Sequence, residues 1–305
     1  MPSMPLDPSL PAPWSYGGKT EQARTVIVYG NCQAPYLAQM LASLDDLNDD
    51  YRFVFAANHA FPGENIARPI PEPWLRNVAL VLVQHEEWDG NPALLALKAQ
   101  LPATCPVFRY PSFFVSCFWP FECPEPRGEP EPAYPWKRYP LGDIIGLQIA
   151  QAGLTGELAV AAYLDHSMQK MPNMHVRLQR DIDRMHQYDA RCDVKLADYI
   201  ESSFHNEHLF WTSGHMSETA VAELARRVAA TVRPLLGGSA ERMELCLAAA
   251  MGFSGMGETQ IPIHPMVAEA LELNFWQADM TYRWYSQNWT FYEYIQNYIE
   301  YNTQW

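Results

Sequence analysis

The chain has 305 residues, 48% of them hydrophobic and 18% charged, enough to bury one large α/β core or two modest ones. A formal net charge of −14 and a pI near 5.0 argue against nucleic acid and anionic membrane surfaces as partners. No stretch approaches a membrane span in length, and the Pro- and Ser-rich start "MPSMPLDPSLPAPWSYGGK" lacks the charged beginning and apolar block of a signal peptide.

Residues 1–22 accordingly read as a flexible N-terminal extension. In "TVIVYGNCQAPYLAQM" (Thr25 to Met40), Val26, Ile27 and Val28 form a short apolar run of the kind found in central parallel strands. Tyr36, Leu37, Met40, Leu41 and Leu44 then recur at helical spacing, with Pro35 tolerated in the first turn. Gly30, Asn31, Cys32 and Gln33 thus occupy a sharp strand-to-helix turn. A second strand is expected over Tyr51–Asn58 and a third over Asn77–Trp88, which carries Gln84 and His85. A fourth is expected over Pro106–Phe114, which contains Arg109 and Tyr110. Strands alternating with helices imply a mostly parallel sheet, whose ligands sit at the carboxyl ends of the strands. Asn31-Cys32-Gln33, Gln84-His85 and Arg109 would then outline one cleft.

A Pro-rich loop follows at 117–140; its Trp119, Phe121, Tyr134 and Trp136 call for burial, so it reads as a lid or binding loop rather than a linker. A helical insert is expected from about Gly142 to Gln187. Another helix should start at the N-cap Ser217, with Val221, Leu224, Val228 and Leu235 as its apolar stripe. These segments complete an α/β core over 23–236. The aromatic-rich part at 237–305 is expected to be helical and to pack on that core. No internal repeat is visible.

Cys32 is the first chemical candidate, because a helix N-terminus favours a thiolate and lowers its pKa. Asn31, Gln33 and the neighbouring N–H groups could hold an oxyanion, and Gln84 and His85 could contact the substrate. The competing reading of Cys32 is an ordinary thiol in a tight turn. His215, in the Gly-containing loop "FWTSGHMSE", is the candidate general base, with His85, His205 and His208 as competitors and a core or capping role as the alternative. "HNEH" lacks the i, i+4 spacing of a helical zinc pair, and no metal site is expected. Arg177, Arg180 and Arg184 form one helical stripe that could bind phosphates, as could Arg109. Interleaved Asp181 and Asp183 favour instead a solvated, salt-bridged face for the stripe. "GFSGMGE" (Gly252–Glu258) follows no clear strand and is weak as a phosphate loop; His264, between two prolines, looks structural. The six cysteines show no zinc-like spacing and are expected reduced, in the cytoplasm.

These segments together resemble the WcbI-type family of capsular polysaccharide biosynthesis proteins, regarded as acetyl-CoA-dependent O-acetyltransferases. The resemblance rests on "VIVYGNCQA", "VALVLVQ", "YPSFFVSCFWP", "ADYIESSF", "HLFWTSGHMSE" and "IPIHPMVAEAL", and so spans roughly Val26 to the C-terminus. It implies an α/β fold with an SGNH-hydrolase-like three-layer core, coenzyme A or acetyl-CoA as co-substrate, and a sugar hydroxyl as acceptor. SGNH enzymes place their nucleophile in the first strand–helix turn and their His late in the chain, and Cys32 and His215 occupy the matching places. The sequence departs in having Cys as nucleophile, Thr212 rather than Asp three residues before His215, and His-Met rather than His-Pro.

The leading expectation is an acyl-CoA-dependent O-acyltransferase acting on a surface polysaccharide sugar or its precursor, with Cys32 either an acyl carrier or part of the oxyanion pocket. The alternative is a cysteine esterase or deacetylase using water as acceptor. A third possibility is a carbohydrate-binding module whose many Trp and Tyr stack on sugars, although so many aromatics more often build a core. Sugar, acyl chain and oligomeric state are not legible.

Overall fold

The structure is a computed structural model that describes residues 14–59, 70–85, 90–127, 129, 131–134, 137–250 and 256–303. Most of the glycine-rich stretch at 252–258, Trp136 and the first thirteen residues of the expected extension lie outside this set. The chain divides into two compact units. One comprises Met1–Phe113, Ile182–Ser203 and Gly214–Met256; the other comprises Phe114–Asp181, Phe204–Ser213 and Gly257–Trp305.

In the first unit β1 (Ser15–Gly17), β2 (Arg24–Gly30), α1 (Ala34–Ala42), α2 (Asp45–Asn48), β3 (Tyr51–Ala57), α3 (Glu72–Leu75), β4 (Val78–Gln84), α4 (Pro92–Lys98) and β5 (Val107–Tyr110) follow one another. The strands form one sheet in the order β1-β3-β2-β4-β5. β2 pairs in parallel with β3 and β4, and β4 with β5; β1 alone runs antiparallel, at the edge. Alternate strand residues point to opposite faces. Ile27, Tyr29, Val54, Val81 and Val83 therefore share one face with Leu75 of α3 and Leu94 and Leu97 of α4. Val26, Val28, Phe53, Phe55, Leu80 and Leu82 are equally buried on the other, where α1 packs. Burial on both faces is why these strands read as continuous apolar runs.

Two expectations are corrected here. Ser15–Gly17, assigned by sequence to a flexible extension, is instead the edge strand, with Tyr16 opposite Phe53. The fourth strand ends at Tyr110 rather than Phe114, because Pro111 has no N–H to continue a ladder.

The chain then enters the second unit with β6 (Glu122–Cys123), β7 (Gly142–Asp143), α5 (Ile144–Gln151), α6 (Gly156–Lys170) and the start of α7 (Met174–Asp189). The first unit resumes along α7 and adds α8 (Ala197–Ser203); β8 (Phe210–Thr212) belongs to the second unit. β9 (His215–Met216), α9 (Glu218–Leu236) and α10 (Ala240–Ala250) complete the first unit. α9 starts where Ser217 predicted it, the Ala220 N–H donating to Ser217 Oγ at 3.4 Å, and packs against α1.

The second unit ends with α11 (Pro265–Ala270), β10 (Thr281–Trp284), β11 (Gln287–Thr290) and α12 (Phe291–Thr303). The C-terminal part is therefore not helical throughout. Tyr282 and Trp284 are buried between exposed Thr281 and Arg283, a period of two, and Tyr285 takes the positive φ of 54° that the tight turn needs. α12 packs on α5 and α6 around Tyr139, Tyr163, Tyr294 and Tyr298. A Cβ on Gly146 would lie 2.7 Å from the Tyr298 ring, so the approach of α5 to α12 requires glycine there. Trp119 and Phe121 of the Pro-rich loop are buried, and the Trp119 indole donates to the Ile261 carbonyl at 3.1 Å. The aromatics of this unit chiefly build its core. No helix among the described residues is long and apolar enough to cross a membrane.

Candidate functional site

The sheet changes winding direction between β2 and β4. From β2 the chain turns to α1 on one face; from β4 it runs to α4 on the other. Such a switch opens a crevice outside the strand ends, and there the Gly30–Gln33 turn meets Gln84. The Asn31 N–H donates to Gln84 Oε1 at 2.8 Å. Gly30 makes the meeting possible: a Cβ there would lie 2.5 Å from Gln84 Oε1 and 2.8 Å from the Tyr110 hydroxyl. Tyr110 is held by its own hydrogen bond, its OH donating to the Tyr29 carbonyl at 3.0 Å. A Gly30→Ala variant is expected to lose about 1–3 kcal/mol through overpacking, read as a lowered urea midpoint.

Gln33 is the hub. It is 2% exposed, and its Nε2 donates to the Phe113 carbonyl at 2.7 Å and the Gly214 carbonyl at 2.8 Å. Its Oε1 accepts from Gln84 Nε2 at 3.1 Å. Both amide hydrogens of Gln33 are spent, as is Gln84 Oε1. Gln33 thereby joins the turn, the end of β4 and the loop before β9, while Gln84 Nε2 keeps a second hydrogen beyond the one it gives to Gln33. Asn31 differs. Its Oδ1 accepts from the Gln33 N–H at 2.9 Å, which leaves the Nδ2 donor for a ligand.

The Gln33–Gly214 hydrogen bond places the two chemical candidates in neighbouring segments, since Cys32 precedes Gln33 and His215 follows Gly214. Cys32 is exposed, just before the Gln33 N-cap of α1. The crowding protein nonetheless raises its thiol above the ordinary value through desolvation, more than the hydrogen bond at its own backbone lowers it. The direction is opposite to the lowering expected of a helix N-terminus, because desolvation of the thiolate outweighs the hydrogen bond at its own backbone. His215 is lowered by desolvation to about 4, so it is neutral at neutral pH. Its Nδ1 is buried with no hydrogen-bond partner among the described residues, so no carboxylate among them takes the place of the aspartate missing at Thr212.

The other candidates fall into place by environment. His85 is buried with its ring edge-on to Tyr188 at 4.9 Å, beside the Gln84 end of β4. Arg109 is half-buried, its main chain bonded to the Asp193 carboxylate (2.7 Å) and N–H (2.9 Å). Arg180 is exposed and Arg184 half-buried on α7, while Arg177 Nη2 donates to the Ser116 carbonyl at 2.8 Å. The solvated-face reading of this stripe fails at Asp181, which is 1% exposed and accepts the Ser116 and Cys117 N–H groups at 2.7 and 2.8 Å. His205 bonds the Leu271 carbonyl at 2.8 Å and His208 stacks on Phe275 at 5.0 Å, both half-buried within the second unit. His264 caps α11 through Nδ1 and meets Ser167 Oγ through Nε2, as its prolines suggested. Among the described residues no group of three or more His, Cys, Asp and Glu could hold a metal ion. Sequence reading missed Phe113 and Gly214, whose part is played by main-chain carbonyls and so leaves no residue signature.

The fold is that of an α/β protein with a mostly parallel sheet and a crevice at the carboxyl ends of its strands. A family model described as polysaccharide biosynthesis enzyme WcbI matches residues 25–234, and the chain belongs to that family. A solved structure is similar in fold, with a TM-score of 0.65 and 16% identity over 93% of this chain and 91% of that chain. It is described as WcbI, a novel polysaccharide biosynthesis enzyme, in its native form without a disulfide bond between coenzyme A and a cysteine. No curated protein matches the chain.

Proposed function

We propose that this protein is an acyl-CoA-dependent O-acyltransferase, acetyl being the favoured acyl group, that modifies a sugar hydroxyl of a surface polysaccharide or its precursor. The observation that carries the reading is the Gln33 amide, which clamps the Cys32 turn to the loop bearing a neutral His215. That coenzyme A is named in the description of the similar WcbI structure supports the donor. A cysteine in the first strand–helix turn and a late histidine suit an SGNH-like arrangement, and a cytoplasmic location fits an acyl-CoA donor.

In the proposed transfer, His215 accepts the proton of the acceptor hydroxyl as its oxygen bonds to the thioester carbonyl carbon. Asn31 Nδ2 and the Cys32 N–H stabilise the tetrahedral oxyanion. The carbon–sulfur bond then breaks, and the coenzyme A thiolate leaves and takes the proton from His215. Arg109 and Arg184, in the same unit as the turn, are the proposed phosphate contacts. A thiol with a raised pKa is a poor resting nucleophile. Cys32 is thus assigned to lining the acyl pocket, and direct transfer is preferred to an acyl-enzyme.

Calorimetric titration with coenzyme A and acetyl-CoA is the test. Micromolar binding supports the transferase; absence of heat and of thermal shift, with acetate released from acetylated sugars, would establish the water-accepting esterase instead. Cys32→Ser is expected to keep single-turnover transfer within about tenfold of wild type. An acyl adduct on Cys32, with ping-pong kinetics, would overturn direct transfer. The neutral imidazole is the working form, so its lowered pKa extends activity downward: kcat/KM should fall only as pH drops through about 4, not near the ordinary 6.5. A pH–rate profile breaking near the ordinary value would place His215 in open solvent.

A further inference from the structure

The second unit contains a hollow that the proposed transfer does not use. It encloses about 30 Å³, or about 430 Å³ with its open mouth. The inner part thus has room for a water-sized group, whereas a ring could lie only at the mouth. The inner wall is aromatic and buried, with Trp119, Phe121, Phe291 and Tyr294, while Pro120 and Leu141 are its partly exposed apolar rim.

Against this apolar wall stand three acidic or basic groups, two of them already satisfied. Asp143 accepts from the Gly146 N–H at 2.8 Å and from the Tyr163 hydroxyl at 2.7 Å. His264 accepts from the Met266 N–H at 3.1 Å and meets Ser167 Oγ at 2.9 Å. Glu122 is different. Its Oε1 accepts from the Ser213 hydroxyl at 2.9 Å, but its Oε2 is buried with no partner among the described residues. A buried acceptor without a donor is costly, so a ligand that brings one there is favoured.

The chemistry of that ligand follows from the surroundings. It needs a hydrogen-bond donor small enough for the inner space, and an apolar face for the rim. A cation is less suited, because Asp143, opposite Glu122 across the β6–β7 pair, has its oxygens engaged and no second carboxylate in the lining is left to join Glu122 around a positive charge. An alcohol on a ring meets each requirement. We propose that this hollow is a saccharide subsite, in which a hexopyranose lays its apolar face over Pro120 and Leu141 and donates one hydroxyl to Glu122 Oε2. The proposal rests on the reading of a carbohydrate acceptor and adds a place on the chain where part of that saccharide is held.

The experiment is saturation-transfer NMR of the full chain with a panel of methyl hexopyranosides and with tetramethylammonium, beside a coenzyme A titration of each protein. Glu122→Ala removes the acceptor, and Leu141→Trp fills the mouth without touching the inner polar groups. The expected result is saccharide binding to wild type that weakens at least about tenfold in both variants while coenzyme A affinity stays within about twofold. Should Glu122→Ala not fold, Leu141→Trp alone decides. Coenzyme A binding without saccharide binding would overturn this subsite and leave the transferase reading intact. Saccharide binding that persists in the folded variants, or tetramethylammonium binding in place of sugar, would also overturn it. Saccharide binding lost on mutation in a protein that never binds coenzyme A would keep the subsite and remove the transferase.

Discussion

Replacing His215 by alanine is expected to lower the transfer rate by about 10²–10⁴-fold while leaving coenzyme A affinity unchanged. The size of the effect follows from its role as the proposed proton acceptor. Of the competing histidines, His85 is packed against Tyr188, and His205, His208 and His264 are engaged within the second unit. The variant should also fold well, because Nδ1 of His215 has no hydrogen-bond partner among the described residues to lose. Steady-state kinetics with acetyl-CoA and a saccharide acceptor, beside a calorimetric affinity, separates the outcomes. A loss smaller than about tenfold would remove His215 from the chemistry.

The largest stability effect is expected at Gln33, a polar residue that composition alone would never place in a core. Leucine there keeps the approximate volume but strands the Phe113 and Gly214 carbonyls and Gln84 Nε2, each of which now has Gln33 as a partner. Leaving a buried polar group unpaired costs about 1–3 kcal/mol, so Gln33→Leu should lose roughly 3–6 kcal/mol in urea unfolding. Gln33→Glu should fare little better, since a carboxylate cannot donate to either carbonyl. Activity should fall with stability, because the same amide holds the Cys32 turn to the His215 loop. A cost below about 1 kcal/mol would mean that main-chain packing alone keeps the two segments together.

What the sequence by itself determined is the sheet and the place of the site. Val26–Val28, Val54–Ala56 and Leu80–Val83 are apolar without interruption because both faces of their strands are covered, and the first polar residues after them mark the strand ends. That is enough to locate Asn31, Cys32, Gln33 and Gln84 in one crevice. Ser217 likewise announced α9 by local capping chemistry. In the C-terminal part the alternation in "TYRW" carries the hairpin, but aromatic residues suit strands and buried helices alike, and their density masked it.

Only the tertiary structure decided which of those polar groups remain available. Gln33 offered an amide to a ligand on paper, yet its partners lie 80 and 181 residues away, at distances in sequence that no periodicity encodes. Asp181 had the spacing of a solvated partner for Arg177, yet the Ser116–Cys117 turn took its carboxylate into the interior. For Cys32 the helix end was visible in the sequence, whereas the desolvation that raises its thiol was not. Periodicity reports which way a side chain points, but burial and hydrogen-bond satisfaction are set by what packs against it, and that is a property of the folded chain.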